Sequence, residues 1–287
     1  MKMPAIPSFD QTPNSDQHKS DSDPKISKEK DQDSSTSFPT PLQLLEIRDL
    51  SSTGSKRFLQ SIDPSTILSS AIKTVHEILV PNQQDTPNVR SISLILRDFS
   101  GVAYTTGKDI DFEHKEIHFS TSYIENIKPE LLSKEITGVI VHEMVHVWQW
   151  NGKGECNGGL IEGVADWVRL KAGLGPPHWK KRAKDCEWDD GYDVTGYFLE
   201  SLEEKFGKDI VVKMNQKLRQ KYVEEEFWPN MCAGADVHEL WDKYAATLNE
   251  VKEDDHQEDK SDLPERTVEL EPQKSEKHSS NSVATDS

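Results

Sequence analysis

His142, Glu143 and His146 stand in the order H-E-x-x-H within the stretch VHEMVHVWQW (Val141–Trp150). On a helix, a four-residue step turns about 400°, so the two imidazoles lie one turn apart on one face. That spacing lets both rings reach one Zn²⁺ ion at about 2.0–2.1 Å. Glu143 points in a neighbouring direction. From there its carboxylate can reach a water on the ion without ligating the ion, which is the general-base position of zinc peptidases. The flanking residues GVIV and VWQW are almost all apolar, so this helix is expected to be buried on most sides. Buried histidines and a buried glutamate need partners, because an unpaired buried charge is costly.

A catalytic zinc keeps three protein ligands and an open position. The next helical pattern, LIEGVADWVRLKAG, offers Glu162, Asp166 and Arg169 as one polar stripe among Leu160, Ile161, Val164, Ala165, Trp167, Val168 and Leu170. A short turn through 151–159 would fold this helix back beside the first. Glu162 could then complete a His₂Glu set, with Asp166 accepting a hydrogen bond from the far nitrogen of a ligating histidine. Asp166 as the ligand, with Glu162 outside the coordination sphere, is the rival assignment. Arg169 is expected to hold these carboxylates in place. The metzincin pattern needs Gly at the position occupied by Gln149 and His at the position occupied by Gly152, so it is absent.

These residues need a scaffold. LQLLEIRDL (42–50), VRSISLILRDF (89–99), GVAYTTGKDI (101–110) and KEIHFSTSYI (115–124) read as strands, the last two joined by a polar turn around Asp109 to His114. DPSTILSSAIKTVHEIL, with its Asp63-Pro64 start, reads as a helix. Ser133 is a candidate N-cap for the helix carrying the histidines, and Asn151-Gly152 a stop. Gly158-Gly159 precedes the next helix, which Gly175-Pro176-Pro177 ends. DVTGYFLESLEEKFG, KDIVVKMNQKLRQ and VHELWDKYAATL add three more. The expected class is α+β: a mixed N-terminal sheet with helices, then a mainly helical half, with H-E-x-x-H on a central buried helix.

The chain of 287 residues carries a formal charge of −17. Residues 1–38 and 250–287 lack apolar runs and are rich in Ser, Asp, Glu, Lys, Gln and Pro, so they are expected to be disordered tails. All seven tryptophans lie in residues 39–249, a length sufficient for one folded domain. An acidic chain argues against nucleic acid as a partner. The one basic cluster, WKKRAK (Trp179–Lys184), reads as a solvated loop. No stretch has the roughly twenty apolar residues that span a bilayer, so a membrane is not an expected partner. The N-terminus has no apolar signal region. With Cys156, Cys186 and Cys232 as an odd, sparse set, a cytoplasmic protein without a disulfide framework is the expectation; unconventional secretion would leave the same residues. Oligomeric state is not legible.

The stretches VHEMVHVWQWNGKG, GGLIEGVADWVRLKAGLGPPHW and GYDVTGYFLESLEEKFG, with SLILRDFSGVAYTTG and HKEIHFSTSYI upstream, resemble the plant basic secretory protein family, which has fungal and bacterial relatives. The resemblance runs from about Leu42 to Leu248. It implies a zincin-like, specifically gluzincin-like, fold and a zinc-dependent peptidase with one Zn²⁺ per chain. It also implies His142 and His146 as ligands and Glu143 as the catalytic acidic residue, with Glu162 at the place of the glutamate ligand. This chain departs from the family name in being acidic and in lacking a signal peptide, so secretion and a defence role do not carry over.

The expected reaction is hydrolysis of a peptide or protein substrate, with Glu143 moving the proton of the attacking water to the leaving amine. The oxyanion needs a further donor, for which Tyr192, Tyr197 and His178 are candidates. KEIHFS (Lys115–Ser120) is a candidate sheet edge for binding extended peptide. The competing reading is a catalytically inactive domain of the same fold that binds partners. A thiol enzyme built on Cys156 or Cys232 has no local signature.

Overall fold

The computed structural model describes residues 40–82 and 86–252. The expected tails, 1–38 and 250–287, therefore fall outside the described residues apart from the last turn of the final helix. What is described is an α+β domain with one four-stranded mixed sheet: β1 (Leu42–Ile47), β2 (Ser91–Arg97), β3 (Ala103–Lys108) and β4 (Asp111–Ser120). The spatial order is β1-β2-β4-β3; the first three in that order run parallel, and β3 runs antiparallel to β4.

Helices α1 (Thr53–Ser61) and α2 (Pro64–Ile78) connect β1 to β2, as parallel strands require a crossover. Asp63 caps α2 as its sequence suggests. Its carboxylate accepts from the N–H groups of Ser65 and Thr66, with Pro64 in the first turn, an arrangement that contributes about 1 kcal/mol. Ile67, Leu68, Ala71, Ile72 and Val75 form the apolar stripe of α2 and pack towards the helix that carries the histidines.

Three expectations about boundaries need correction. The segment STSYI is not strand. β4 stops at Ser120, whose hydroxyl accepts from the Tyr123 N–H and caps a short helix, α3 (Thr121–Asn126). Ser133 is not an N-cap: α4 (Leu132–Trp148) begins one residue earlier, continuing from a 3-10 turn at Pro129–Leu131. α4 ends before Asn151-Gly152, because Gln149 is already extended (φ −75, ψ 139). KEIHFS is also not an edge. It lies between β2 and β3, bonded on both sides, and the edge beside it is β3.

The helical half follows: α5 (Gly158–Lys171), α6 (Tyr192–Phe206), α7 (Ile210–Lys217), α8 (Glu224–Met231) and α9 (Val237–Lys252). Gly158 and Gly159 are the first residues of α5 rather than its prelude, since Asn157 is the cap and its side chain accepts from the Gly159 and Leu160 N–H groups. α5 and α6 pack very closely. A Cβ at Gly163 would stand 2.3 Å from Thr195 Cγ2, so only glycine lets the two backbones approach this far. Trp167 Nε1–H donates to Glu203 at 3.0 Å across the same contact. The core is continuous from β2 and α2 through α4 and α5 to Trp188, Phe198, Trp228 and Trp241. Among the described residues no helix is long and apolar enough to cross a membrane.

Candidate active site

α4 lies on the sheet beside β3 and β4, with α2 and α5 against its flanks. His142, Glu143, Val145 and Val147 are all buried, as an apolar helix enclosed by neighbours demands. The left-handed conformations at Gly152, Lys153 and Gly154 reverse the chain after α4, and α5 returns alongside it.

Three ligand-type atoms converge between the two helices. His142 Nε2 and His146 Nε2 are 3.2 Å apart. Glu162 Oε2 lies 3.1 Å from His142 Nε2 and 3.7 Å from His146 Nε2. A tetrahedral zinc with bonds of about 2.0–2.1 Å has ligand-to-ligand edges of about 3.3 Å, so the three separations suit one small cation. Among the described residues this is the group of three or more His, Cys, Asp or Glu whose ligand atoms so converge.

The far nitrogens fix the protons. His142 Nδ1 is 2.6 Å from Asp166 Oδ1. His146 Nδ1 is 2.9 Å from Gln149 Oε1, while the Gln149 amide N–H donates to the Ile161 carbonyl at 2.9 Å. That carbonyl can only accept, so the Gln149 amide nitrogen must face it and its oxygen must face His146. Both Nδ1 atoms therefore carry hydrogen, and in neutral rings both Nε2 atoms present lone pairs to each other and to a carboxylate. Such an arrangement holds only around positive charge, whether supplied by a proton or by a metal cation.

The protonation equilibria express the same demand. Burial disfavours imidazolium at His142, but Asp166 and Glu162 outweigh it and hold its pKa well above the ordinary histidine value. His146 is raised in the same direction: burial opposes the shift and Glu162 overcomes it. Burial would raise the Glu162 pKa, yet hydrogen bonds from both histidines hold it far below the usual carboxylate range.

Glu143 is buried and faces the sheet. The Thr105 hydroxyl on β3 lies 2.8 Å from Glu143 Oε2 and 2.9 Å from the Glu143 carbonyl. One hydroxyl proton serves one of them at a time, so Thr105 steers the carboxylate without neutralising it.

Glu162 is thus beside the two Nε2 atoms, and Asp166 is on the opposite side of His142. Arg169 does not hold these carboxylates, as its position on the stripe suggested. Its guanidinium pairs with Glu135 at 2.9 Å and donates from Nε to the Leu174 carbonyl at 3.1 Å. Of the three candidate oxyanion donors, Tyr192 is brought to the site: its ring is parallel to that of His142, 6.2 Å centroid to centroid. It is partly exposed and sits at φ +47, after Gly191 at φ +79, a left-handed pair that turns the chain over Glu162. Tyr197 lies five residues on, under the Lys181 ammonium, with its hydroxyl pKa raised by burial. His178 is exposed in the loop between α5 and α6. In that loop two of the four basic residues of the cluster are paired, Lys181 with Glu200 and Arg182 with Asp193.

Thr105 and Gln149 were missed by sequence reasoning. Strand alternation puts Thr105 on the inward face with Ala103, but nothing local says which helix that face meets. Burial pushes the Cys156 thiol up to about 12 and the Cys232 thiol up to about 11, which disfavours the thiolate a nucleophile needs.

Comparison with curated proteins and with solved structures returns no match. The family described as peptidase of plants and bacteria matches residues 41–244, which take in the whole sheet and every helix except the end of α9. By that match the chain belongs to this peptidase family.

Proposed function

We propose that the protein is a zinc-dependent peptidase of zincin-like, gluzincin-like architecture. The observation that carries this reading is the convergence of three lone-pair donors at 3.1, 3.2 and 3.7 Å with the far nitrogens of both histidines already committed. His142, His146 and Glu162 would hold one Zn²⁺, which when bound supplies Lewis acidity and lowers the pKa of water at the site.

This chain's own residues do the rest. Asp166 and Gln149 keep the two imidazoles in the tautomer that presents Nε2. Glu143, held by Thr105, accepts the proton of the attacking water and passes it to the departing amine. Tyr192 is the candidate closest to His142 for donating to the developing oxyanion. The extended substrate pairs with the outer edge of β3, unpaired among the described residues, on the strand that carries Thr105; the strand-addition role for which KEIHFS was a candidate passes to its neighbour.

The test is elemental analysis of the full chain together with cleavage of a peptide mixture. About one zinc per chain is expected, with cleavage that a chelator stops and added zinc restores. A folded chain that takes up no zinc would leave the inactive, partner-binding reading instead. Replacing Gln149 by alanine should lower zinc affinity about 10–100-fold, read by competition with a chromophoric chelator, because His146 then loses the acceptor that sets its tautomer.

A further inference from the structure

We propose that Phe112 forms the wall of a substrate subsite, one that selects a large apolar side chain about two residues from the scissile bond. The proposal rests on the peptidase reading above and adds a substrate preference to it.

The geometry begins at Gly107 on the edge strand. Alternation along β3 puts the Cβ direction of Gly107 on the same face as the side chain of Thr105, and that face bears Glu143. A Cβ at Gly107 would stand 2.7 Å from Phe112 Cδ1 and 3.3 Å from Phe112 Cα. The Phe112 ring is therefore seated where the missing side chain of Gly107 would be, on the site-bearing face. Two residues of strand separate it from Thr105, roughly 7 Å. At the register shift between Gly107 and Lys108 the β4 partner jumps from Lys115 to Asp111, which leaves residues 112–114 out of the β3–β4 ladder and Phe112 over the strand.

The ring is not buried there. Phe112 is 68% exposed, and Ile110 at the same hairpin tip is 95% exposed. A single exposed apolar residue is ordinary on a protein surface. This one differs because a glycine notch holds it in place, because it shares a face with the catalytic carboxylate, and because it borders a strand edge that is unpaired among the described residues. A peptide strand laid along that edge alternates its side chains with the same period. If the scissile carbonyl lies by Glu143, beside Thr105, the side chain two positions along stands on the same face and meets Phe112. An apolar side chain there buries exposed aromatic surface on both partners.

The experiment uses the full zinc-loaded chain and a set of fluorescein-labelled decapeptides differing at one position. Wild type, Phe112→Ala and Gly107→Ala are compared in cleavage, and each substitution is repeated in a Glu143→Gln background for binding by fluorescence anisotropy. The wild type should favour Leu or Phe over Ala at one position near the cleaved bond. Both substitutions should reduce that preference about tenfold, Phe112→Ala by removing the ring and Gly107→Ala by displacing it, with the larger loss on the Leu and Phe peptides. No apolar preference in the wild type, an equal loss across all peptides, or a preference untouched by Phe112→Ala would each overturn the subsite. If no peptide is cleaved but binding to the Glu143→Gln chain still discriminates through Phe112, the subsite stands and the peptidase reading falls.

Discussion

Glu143→Gln should leave zinc content at the wild-type level and lower turnover by about 10²–10⁴-fold, the usual contribution of a positioned general base. The substitution is nearly isosteric, and the residue is 5% exposed, so a change of shape would be felt. A glutamine amide oxygen can still accept from the Thr105 hydroxyl, which keeps the one hydrogen bond that orients the side chain. The protein should therefore fold and melt as before, and the loss should fall on kcat with little change in KM. A variant that binds zinc and still cleaves at the wild-type rate would remove Glu143 from the chemistry. A variant that fails to bind zinc would place it among the ligands, a role its position beside Thr105 rather than beside the two Nε2 atoms argues against.

The parts of the site legible in the sequence are those set by helical geometry. The four-residue step between His142 and His146 and the return of a second polar-striped helix bring Glu162 and Asp166 towards them without knowledge of the fold, but leave open which acid faces the two Nε2 atoms. Asp63 could be read as a cap because capping is a local matter of one side chain and two N–H groups. The parts that were not legible depend on packing. Thr105 reaches Glu143 from a strand 38 residues away, and that contact requires the sheet order β1-β2-β4-β3, which no local pattern encodes. Gln149 read as the residue that breaks a metzincin pattern, whereas its service to His146 needs the Ile161 carbonyl of a different helix. Arg169 was misassigned for the same reason. Its place on the polar stripe of α5 was right, but Gly138 on α4 leaves room for the guanidinium, which passes over it to Glu135. KEIHFS was a candidate edge only, because a strand pattern does not say which strand lies outermost.

Glu162→Ala and Asp166→Asn should separate the roles of the two acids that the sequence left open. Glu162 lies 3.1 Å from the His142 nitrogen that faces His146, whereas Asp166 bonds to the opposite nitrogen of the same ring at 2.6 Å. Loss of a donor within the coordination sphere should lower zinc affinity by more than about 10²-fold, and loss of the outer carboxylate by about 10–100-fold. Melting temperature gives an independent reading. At a free zinc concentration a hundred times the dissociation constant, binding stabilises the wild type by about 2.7 kcal/mol, so zinc should raise its Tm. That increment should vanish for Glu162→Ala and shrink for Asp166→Asn at the same zinc concentration. Comparing each variant with and without zinc removes any purely structural cost, which matters for Asp166 at 2% exposure. The reverse order of affinities would make Asp166 the ligand. It would put the metal on the Nδ1 side of His142, where Asp166 stands, and the pairing of His146 with Glu162 would then lose its purpose.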